Sequence, residues 1–160
     1  MDINIIAAIG KNNELGKNND LVWKLKGDMK FFRETTMGHP VVMGKNTFDS
    51  LPKVLPGRKN IVLCPDEMKN DEIEIYKSIR DFLVKYQELD EDVFIIGGAS
   101  IYRQFIDLAT KMYLTEIDAS DKDADVYFPD FNKEDWDREE ICSKQEESIN
   151  YKHVLYKRKK

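Results

Sequence analysis

One acidic residue beside two aromatic residues is the feature of this chain that most suggests chemistry. Asp28 precedes Phe31 and Phe32 by three and four positions, the spacing that brings side chains onto one face of a helix. A carboxylate held against aromatic rings loses hydration, so it needs a hydrogen-bonding partner or its pKa rises. Asp is also a preferred helix N-cap, and Gly27 before it suits a chain that turns into a helix. The pattern therefore predicts either a capping residue or a functional acid.

Two segments run from an apolar stretch into glycine and then into a helical pattern. They span residues 41–47, with Gly44, and residues 93–102, with Gly97 and Gly98. Turns of this kind direct free backbone N–H groups and the positive end of a helix to one edge of a parallel sheet. The pair would suit a pyrophosphate group, while either turn alone is also explained by ordinary backbone geometry. Neither segment has the spacing of a nucleotide triphosphate loop or of the three-glycine dinucleotide fingerprint.

Residues 44–60 are locally basic in a chain whose formal net charge is -5. Four cations minus one acid give this segment a charge of +3, from Lys45, Lys53, Arg58, Lys59 and Asp49. Such a patch favours a small anionic ligand, and the planar fork of Arg58 matches the geometry of a carboxylate. The alternative is that Arg58 is an exposed loop residue without a fixed partner.

The elements that would position these residues follow an α/β pattern. Short apolar runs that predict strands span residues 3–9, 41–43, 61–64, 73–76, 93–96 and 112–117. Most of these runs lack two-residue alternation, which is typical of strands buried on both faces of a sheet. Helical patterns span residues 29–36, 46–50, 78–86 and 100–108, so we predict a mostly parallel central sheet flanked by helices.

The end of the chain departs from this alternation. Residues 136–142 and 151–156 have the pattern of two strands with no helix between them, which predicts an antiparallel hairpin at the edge of a mixed sheet. No shift in composition divides the 160 residues, and this length suits one compact domain. We therefore expect a single domain over residues 1–160.

Charge and composition argue against several classes of protein. The acidic balance disfavours nucleic-acid binding, and no apolar run reaches the roughly 18 residues of a membrane span. The first residues lack the basic region of a signal peptide, so we expect a cytoplasmic protein. Cys64 and Cys142 lack metal-binding spacing and are predicted to be reduced thiols, with no metal site. His39 and His153 lie outside recognisable nucleophile or metal motifs, and we predict that neither is catalytic.

Residues 10–21 contain the near-duplication GKNNEL and GKNNDL. The segment is polar, is punctuated by glycine and comes just before Trp23 and Asp28. It is predicted to be either a mobile lid over a pocket or a plain surface loop.

Taken together, these segments resemble the dihydrofolate reductase family over essentially the whole chain. The resemblance rests on Asp28 with Phe31 and Phe32, and on IAA at 6–8, LVW at 21–23, VMGKNT at 42–47, LPGRKN at 55–60, IGGASIY at 96–102, YLT at 113–115 and DVYFP at 125–129. Each motif is weak alone, but their order and spacing are specific. The resemblance favours a functional acid over a simple cap at Asp28.

The resemblance implies reduction of 7,8-dihydrofolate to 5,6,7,8-tetrahydrofolate with NADPH, in support of one-carbon metabolism. Asp28 would be the only ionisable side chain of the pterin pocket, where it would orient and polarise the ring. A water admitted under the lid would protonate pterin N5. A monomer that binds dihydrofolate and antifolate inhibitors is implied.

Individual roles follow from the resemblance. The implied catalytic residues are Asp28, Trp23, Leu21, Tyr102 and Thr115, of which Thr115 would hydrogen-bond Asp28. The implied substrate contacts are Ile6, Ala8, Asp28, Phe32, Leu51, Lys53, Arg58, Ile96 and Thr115. The implied cofactor contacts are Ala8, Leu15, Gly16, Gly44, Lys45, Asn46, Thr47, Leu63, Gly97, Gly98, Ala99, Ser100, Ile101 and Gln104. The resemblance also implies a cis peptide bond between Gly97 and Gly98.

Three positions depart from the family pattern: Val22, the segment 64–67 and Ser100. Only Lys45 remains as an obvious partner for a ribose 2′-phosphate, and acids nearby would repel that group, so NADH stays open as an alternative cofactor. Two other functions also stay open. One is a reductase on this fold that acts on another pterin or on a pyrimidine precursor in riboflavin synthesis, and the other is a non-catalytic protein that binds folate or a dinucleotide.

Overall fold

An eight-stranded sheet lies at the centre of the protein, as predicted. The computed structural model describes residues 1–18 and 20–160. Its strands are β1 (Asp2–Ile9), β2 (Glu14–Lys17), β3 (Asp20–Leu21), β4 (Val41–Gly44), β5 (Asn60–Leu63), β6 (Glu74–Tyr76), β7 (Asp92–Gly97), β8 (Lys111–Ile117), β9 (Val126–Tyr127), β10 (Trp136–Glu146) and β11 (Ile149–Arg158). Its α-helices are α1 (Lys26–Thr36), α2 (Lys45–Ser50), α3 (Ile79–Tyr86) and α4 (Ala99–Phe105), with a 3₁₀ turn at Lys133–Asp135. None of these helices combines the length and apolar character needed to cross a bilayer.

The strand directions confirm a mixed, mostly parallel sheet with an antiparallel hairpin at one edge. The order is β10-β11-β8-β1-β7-β4-β5-β6. The pairs from β8 through β6 are parallel, whereas β11 pairs antiparallel with both β8 and β10. The carboxyl ends of β4 and β7, which carry the glycine turns, are therefore neighbours at one edge of the sheet.

The apolar runs are continuous because both faces of the sheet are covered. Alternate residues of each strand enter different clusters: in β1, Ile5 joins one cluster and Ile6 joins another. The first cluster receives Phe82 and Phe105 from α3 and α4, and the second receives Phe32 from α1. Because strand side chains alternate between faces, a strand buried on both sides needs apolar residues throughout.

A second, smaller sheet corrects the expectation that residues 10–21 form a plain loop. It consists of β3, β2 and β9 in that order, and both of its pairings are antiparallel. These strands have two to four residues, too few to produce a periodic signal, and β9 is contributed by a distant part of the chain. Asn19, which belongs to the predicted lid segment, lies outside the described residues.

The N-terminus of α1 is capped by a residue from the far hairpin, so Asp28 is not the cap. Leu25 occupies the N-cap position and makes no side-chain capping bond. Instead, the carboxylate of Glu146 accepts hydrogen bonds from the backbone N–H groups of Lys26 at 2.6 Å and Gly27 at 3.0 Å. A Cβ atom on Gly27 would collide with the hydroxyl of Tyr151. The helix that carries Asp28 is thus seated against β10 and β11.

We predict that Glu146→Ala lowers the thermal unfolding midpoint at pH 7. The N–H groups of Gly27 and Lys26 hold the pKa of Glu146 below its ordinary value of 4.5. A lowered pKa contributes stability that is present above the unfolded value and is lost as the pH falls through the folded value. The difference in midpoint between the variant and the wild type should therefore shrink below about pH 4.5.

Glu139→Ala is the matched control, because Glu139 is an exposed acid on the same hairpin and its nearest cation, Lys157, is 4.0 Å away. Calorimetry from pH 3 to pH 7 measures all three proteins. A Glu146→Ala midpoint equal to that of the control at pH 7 would contradict the capping role.

Candidate active site

The carboxylate of Asp28 is mostly withdrawn from water and is held by one hydroxyl group. Its side chain is 18% exposed. The Oγ1 hydroxyl of Thr115, on β8, donates a hydrogen bond to Asp28 Oδ1 at 2.5 Å. Desolvation raises the pKa of Asp28 and the charge of Glu146 adds to that rise, whereas the Thr115 hydrogen bond opposes it. The predicted pair of Asp28 and Thr115 is therefore brought together across 87 positions of sequence.

His153 lies directly behind this pair, a position that no sequence motif predicts. In the β8–β11 pairing His153 stands opposite Thr115, with its Nδ1 atom 2.9 Å from Thr115 Oγ1 and 3.8 Å from Asp28 Oδ1. Its ring stacks on Phe31 with centroids 3.9 Å apart. His153 is 1% exposed and lies behind Thr115, so the expectation that Asp28 is the only ionisable side chain of the pterin pocket stays a prediction. Only the register of β11 against β8 identifies His153, and that register is not readable from the sequence.

Four of the five apolar substrate residues predicted from the sequence belong to one cluster, and the fifth, Ala8, packs with Leu25 in another. Phe32, Leu51 and Ile96 pack on the sheet face that also holds Val41 and Met43. Ile6 belongs to the same cluster, and its carbonyl oxygen accepts a hydrogen bond from the Tyr102 hydroxyl at 2.8 Å. Burial raises the pKa of Tyr102, so its hydroxyl keeps its proton and acts as a donor. This contact fixes Tyr102 against β1.

Arg58 is held in place, which contradicts the alternative of a loose loop arginine. Its Nη1 donates to the hydroxyl of Thr36 at 3.0 Å, and its Nε donates to the carbonyl of Pro56 at 2.9 Å. Partial burial and the nearby charge of Arg33 lower the pKa of Arg58. Lys53 is exposed in the same loop. The guanidinium group thus lies at the C-terminal end of α1, one helix length from Asp28.

Trp23 packs beside the beginning of the predicted lid segment. Trp23 packs with Ala8 and Leu25, and a Cβ atom on Gly10 would lie 2.6 Å from the Trp23 ring. Leu21 is 50% exposed.

The two other predicted site residues of this segment, Leu15 and Gly16, lie on β2. Leu15 is buried, and Gly16 pairs with Leu21 on β3 and with Val126 on β9.

A buried glutamate that sequence reasoning missed fastens this segment. The side chain of Glu14 accepts backbone N–H groups of Asn12 at 2.7 Å and of Asp121 at 2.6 Å. Farther along, the Asp125 carboxylate accepts the N–H of Asn18 at 3.1 Å. Several hydrogen bonds therefore hold residues 12–18 against residues 121–125. Glu14 looked like an exposed polar residue in the sequence, because the residues that bury it are distant.

The two glycine turns face each other, as predicted. A Cβ atom on Gly98 would lie 3.6 Å from Thr47 Oγ1, and one on Gly44 would lie 3.1 Å from Ile101. The Gly97–Gly98 peptide bond is cis, which confirms the expectation from the resemblance. The absence of side chains at these glycines leaves a cradle between the first turns of α2 and α4. Such a cradle fits the pyrophosphate of a dinucleotide.

The outer side of the cradle carries the remaining predicted cofactor residues. Leu63 pairs with Gly44 at the end of β5, Ala99 packs on the core, and Asn46 is exposed on α2. Gln104 Nε2 donates to the hydroxyl and the carbonyl oxygens of Ser100, each at 3.2 Å.

Lys45 at this rim already has an anionic partner. Its ammonium group pairs with the carboxylate of Asp49 at 2.7 Å, and this contact raises the pKa of Lys45. A phosphate at this position would therefore compete with Asp49 for the one predicted cation.

A surface cavity of about 1060 Å³ lies elsewhere. It is lined by the outer surface of the hairpin and by residues such as Lys11, Glu116 and Arg138, and it contains none of the predicted site residues. Several of its charges are already paired, for example Arg138 with Glu116 at 2.5 Å and Lys11 with Asp118 at 3.0 Å. Within residues 1–18 and 20–160, acidic, histidine and cysteine side chains form no group suited to a metal ion.

Comparison with known proteins identifies relatives along nearly the full length of the chain. A family model described as dihydrofolate reductase matches residues 2–159. A dihydrofolate reductase from Buchnera aphidicola is 40% identical, with 82% of this chain and 81% of the relative covered. A dihydrofolate reductase from Haemophilus influenzae is 36% identical, with 87% of this chain and 86% of the relative covered. One from Bacillus subtilis is 33% identical, with 98% and 95% covered.

We predict that Thr115→Val raises the pKa of Asp28 further, because it removes the hydrogen bond that opposes desolvation. Losing that bond in a buried position should also cost about 1–3 kcal/mol in the free energy of unfolding. Carbon NMR of aspartate-labelled protein, with Asp28→Asn used for assignment, measures the pKa, and urea titration measures stability. Thr110→Val is the control, since the hydroxyl of Thr110 makes only contacts of 3.4 Å. An unchanged or lower pKa of Asp28 would show that the Thr115 hydrogen bond does not oppose the effect of desolvation.

Proposed function

The chain belongs to the dihydrofolate reductase family, and on this premise we propose that it reduces 7,8-dihydrofolate to 5,6,7,8-tetrahydrofolate with NADPH. The observation that carries the proposal is the mostly desolvated carboxylate of Asp28, fixed by Thr115 beside an apolar wall. The same sheet provides a glycine cradle that fits a dinucleotide. We further propose that the protein acts as a cytoplasmic monomer.

Asp28 is proposed to recognise one edge of the pterin ring. A carboxylate can accept two parallel hydrogen bonds, here from ring N3 and the 2-amino group. In a site with little water this contact is stronger than in bulk solvent. Its negative charge also favours the protonated form of the pterin. Phe32 and Leu51 would hold the benzoyl portion, Ile96 would line the pocket, and Arg58 would bind the glutamate α-carboxylate with Lys53 at the rim.

Proton delivery is assigned to water rather than to Asp28 itself. Asp28 would hold the edge of the ring remote from N5, so its proton cannot pass directly. Trp23 would hold a water near N5, and Leu21 would close over the reacting rings once the lid is in place. Excluding the other waters strengthens the remaining polar contacts. Tyr102, anchored on Ile6, would lie beside both rings.

The cofactor site is assigned to the two glycine turns. Gly44 to Thr47 and Gly97 to Ile101 would receive the pyrophosphate through backbone N–H groups. Ala8, Leu15, Gly16 and Ala99 would line the nicotinamide side, and Leu63 and Gln104 would lie on the adenine side. When bound, the dinucleotide supplies the hydride. The Lys45–Asp49 pair keeps NADH open as an alternative, because a 2′-phosphate would have to displace Asp49.

One assay distinguishes the candidate functions. Protein mixed with dihydrofolate and either NADPH or NADH is followed by the absorbance of the reduced nicotinamide. We expect turnover with NADPH. Turnover only with another pterin or with a pyrimidine precursor would support a different reductase on this fold. Binding without any turnover would support a non-catalytic protein. The fixed Arg58 and the Phe32 wall favour folate among these.

We predict that Asp28→Asn retains cofactor affinity but loses hydride transfer at pH 7 by roughly 100-fold or more, since a neutral amide does not favour the protonated pterin. Activity should recover in part under acidic conditions, where the substrate is protonated before it binds. Single-turnover kinetics between pH 5 and pH 8 measures this loss. Asp107→Asn, an exposed acid after α4, is the control. Undiminished transfer at pH 7 would refute the role of Asp28.

We predict that Arg58→Leu raises KM for dihydrofolate by about 10-fold or more and leaves the rate on a pterin without the glutamate tail nearly unchanged. Only the tail carboxylate needs the guanidinium fork, so the effect should depend on the substrate. Steady-state kinetics on both substrates measures it, with the exposed Arg80→Leu on α3 as the control. Equal losses on both substrates would count against the assignment.

A further inference from the structure

His153 is a buried polar residue that the proposed mechanism leaves unused. Its side chain is 1% exposed, and its Nδ1 atom lies 2.9 Å from Thr115 Oγ1. Its Nε2 atom is buried and has no hydrogen-bond partner among the described residues. Burying an imidazole with only one of its two nitrogen atoms hydrogen-bonded is costly. The direction of the one bond that it makes, to Thr115, therefore matters.

The Thr115 hydroxyl lies between two possible partners and has only one proton. Asp28 Oδ1 is 2.5 Å from Thr115 Oγ1 on one side, and His153 Nδ1 is 2.9 Å away on the other. An ionised carboxylate can only accept hydrogen bonds, so Thr115 must donate to Asp28 when Asp28 is charged. The hydroxyl oxygen is then free to accept from His153. This arrangement requires the proton of the neutral imidazole to be on Nδ1.

The surroundings of Nε2 favour the same tautomer. Moving the imidazole proton to Nε2 would place an N–H group where no acceptor lies within the described residues, and orphaned buried N–H groups are rare. Burial, together with the charge of Lys144, lowers the pKa of His153 to about 4, so the ring is neutral at pH 7. Stacking on Phe31 and an edge contact with Tyr151 hold the ring plane.

We propose that His153 is a positioning residue. Its Nδ1–H group donates a hydrogen bond to the Thr115 hydroxyl oxygen, and this bond directs the hydroxyl proton toward Asp28. The carboxylate that faces the substrate is thereby kept ionised and in one orientation. The three side chains form a one-way chain of donors from His153 through Thr115 to Asp28. Such chains strengthen each member, because each bond polarises the next. This inference rests on the proposed function, since it assigns Asp28 to the pterin.

The charged groups around His153 come from two elements, α1 and β10. Asp28 faces it from α1 and Lys144 from β10. Cys142 on β10 is paired with His153 across the hairpin. On β8, the next residue after Thr115 points to the other face of the sheet. Tyr151 lies on the same strand as His153, and Glu146 acts on Asp28 from the end of β10. Burial and the charge of Lys144 lower the pKa of His153, so the imidazole stays neutral through neutral pH.

Nitrogen NMR of the imidazole rings tests the tautomer without any substrate. The chain contains two histidines, so histidine labelling gives two ring spectra, and His39→Gln assigns them. We expect His153 to show a protonated Nδ1 and an unprotonated Nε2 at pH 7, and we expect this preference to weaken in Thr115→Val. A protonated Nε2 in the wild-type protein would mean that Thr115 donates to His153, which would overturn the proposal.

A matched pair of variants tests the consequence for Asp28. His153→Phe keeps the stacking on Phe31 and removes the donor, whereas His153→Asn keeps an N–H group near the position of Nδ1 and removes the ring. We expect His153→Phe to lower kcat/KM for dihydrofolate by about threefold to tenfold. The acid limb of the pH profile of kcat/KM should also move to higher pH, because a carboxylate with a weaker hydrogen-bond donor has a higher pKa. His153→Asn should restore most of both changes.

Thermal unfolding of both variants shows whether the fold is retained. An unchanged kcat/KM and an unchanged acid limb in folded His153→Phe would refute the positioning role. If the wild-type protein fails to reduce dihydrofolate, the proposed function fails on its own. The imidazole tautomer and the pKa of Asp28 measured by carbon NMR would still decide whether His153 orients the carboxylate.

Discussion

The balance between desolvation and hydrogen bonding at Asp28 is the constraint on which the rest of the site depends. Burial raises the pKa of this carboxyl, and the Thr115 hydroxyl opposes the rise. A carboxylate in this position is strong as an acceptor because little water competes with it, yet it stays charged only if a donor is already in place. The contacts around Asp28 keep the donor, Thr115, and the acceptor, Asp28, within hydrogen-bonding distance of each other.

The hairpin at the edge of the sheet is central to that geometry. It places His153 opposite Thr115, and it places Glu146 at the N–H groups that begin α1. One strand therefore supports the donor, and its neighbour fixes the helix that carries the acceptor. The antiparallel β10 and β11 thus do more than close the edge of a mostly parallel sheet. They connect the two sides of the candidate pocket through short polar contacts.

The buried strands were predictable because a strand covered on both faces appears in the sequence as a continuous apolar run. The run at residues 3–9 became β1 (Asp2–Ile9), and the strand-to-helix turns at Gly44 and Gly97 came together as adjacent parallel strands require. The polar parts were not predictable in the same way. The strands β2, β3 and β9 are too short to show a period, and Glu14 acquires its role only through the backbone of Asp121, 107 positions later.

Sequence patterns were enough to predict the α/β layering, the edge hairpin, the family resemblance and most of the residues that gather at the candidate site. These follow from local periodicity, turn chemistry and the order of motifs, all of which are properties of neighbouring residues. Long-range contacts were needed to show that Glu146 rather than Asp28 caps α1 and that His153 stands behind Thr115. These outcomes depend on strand register and on the orientation of side chains in space. A histidine or glutamate has the same appearance in a sequence whether its partner is solvent or a residue 100 positions away.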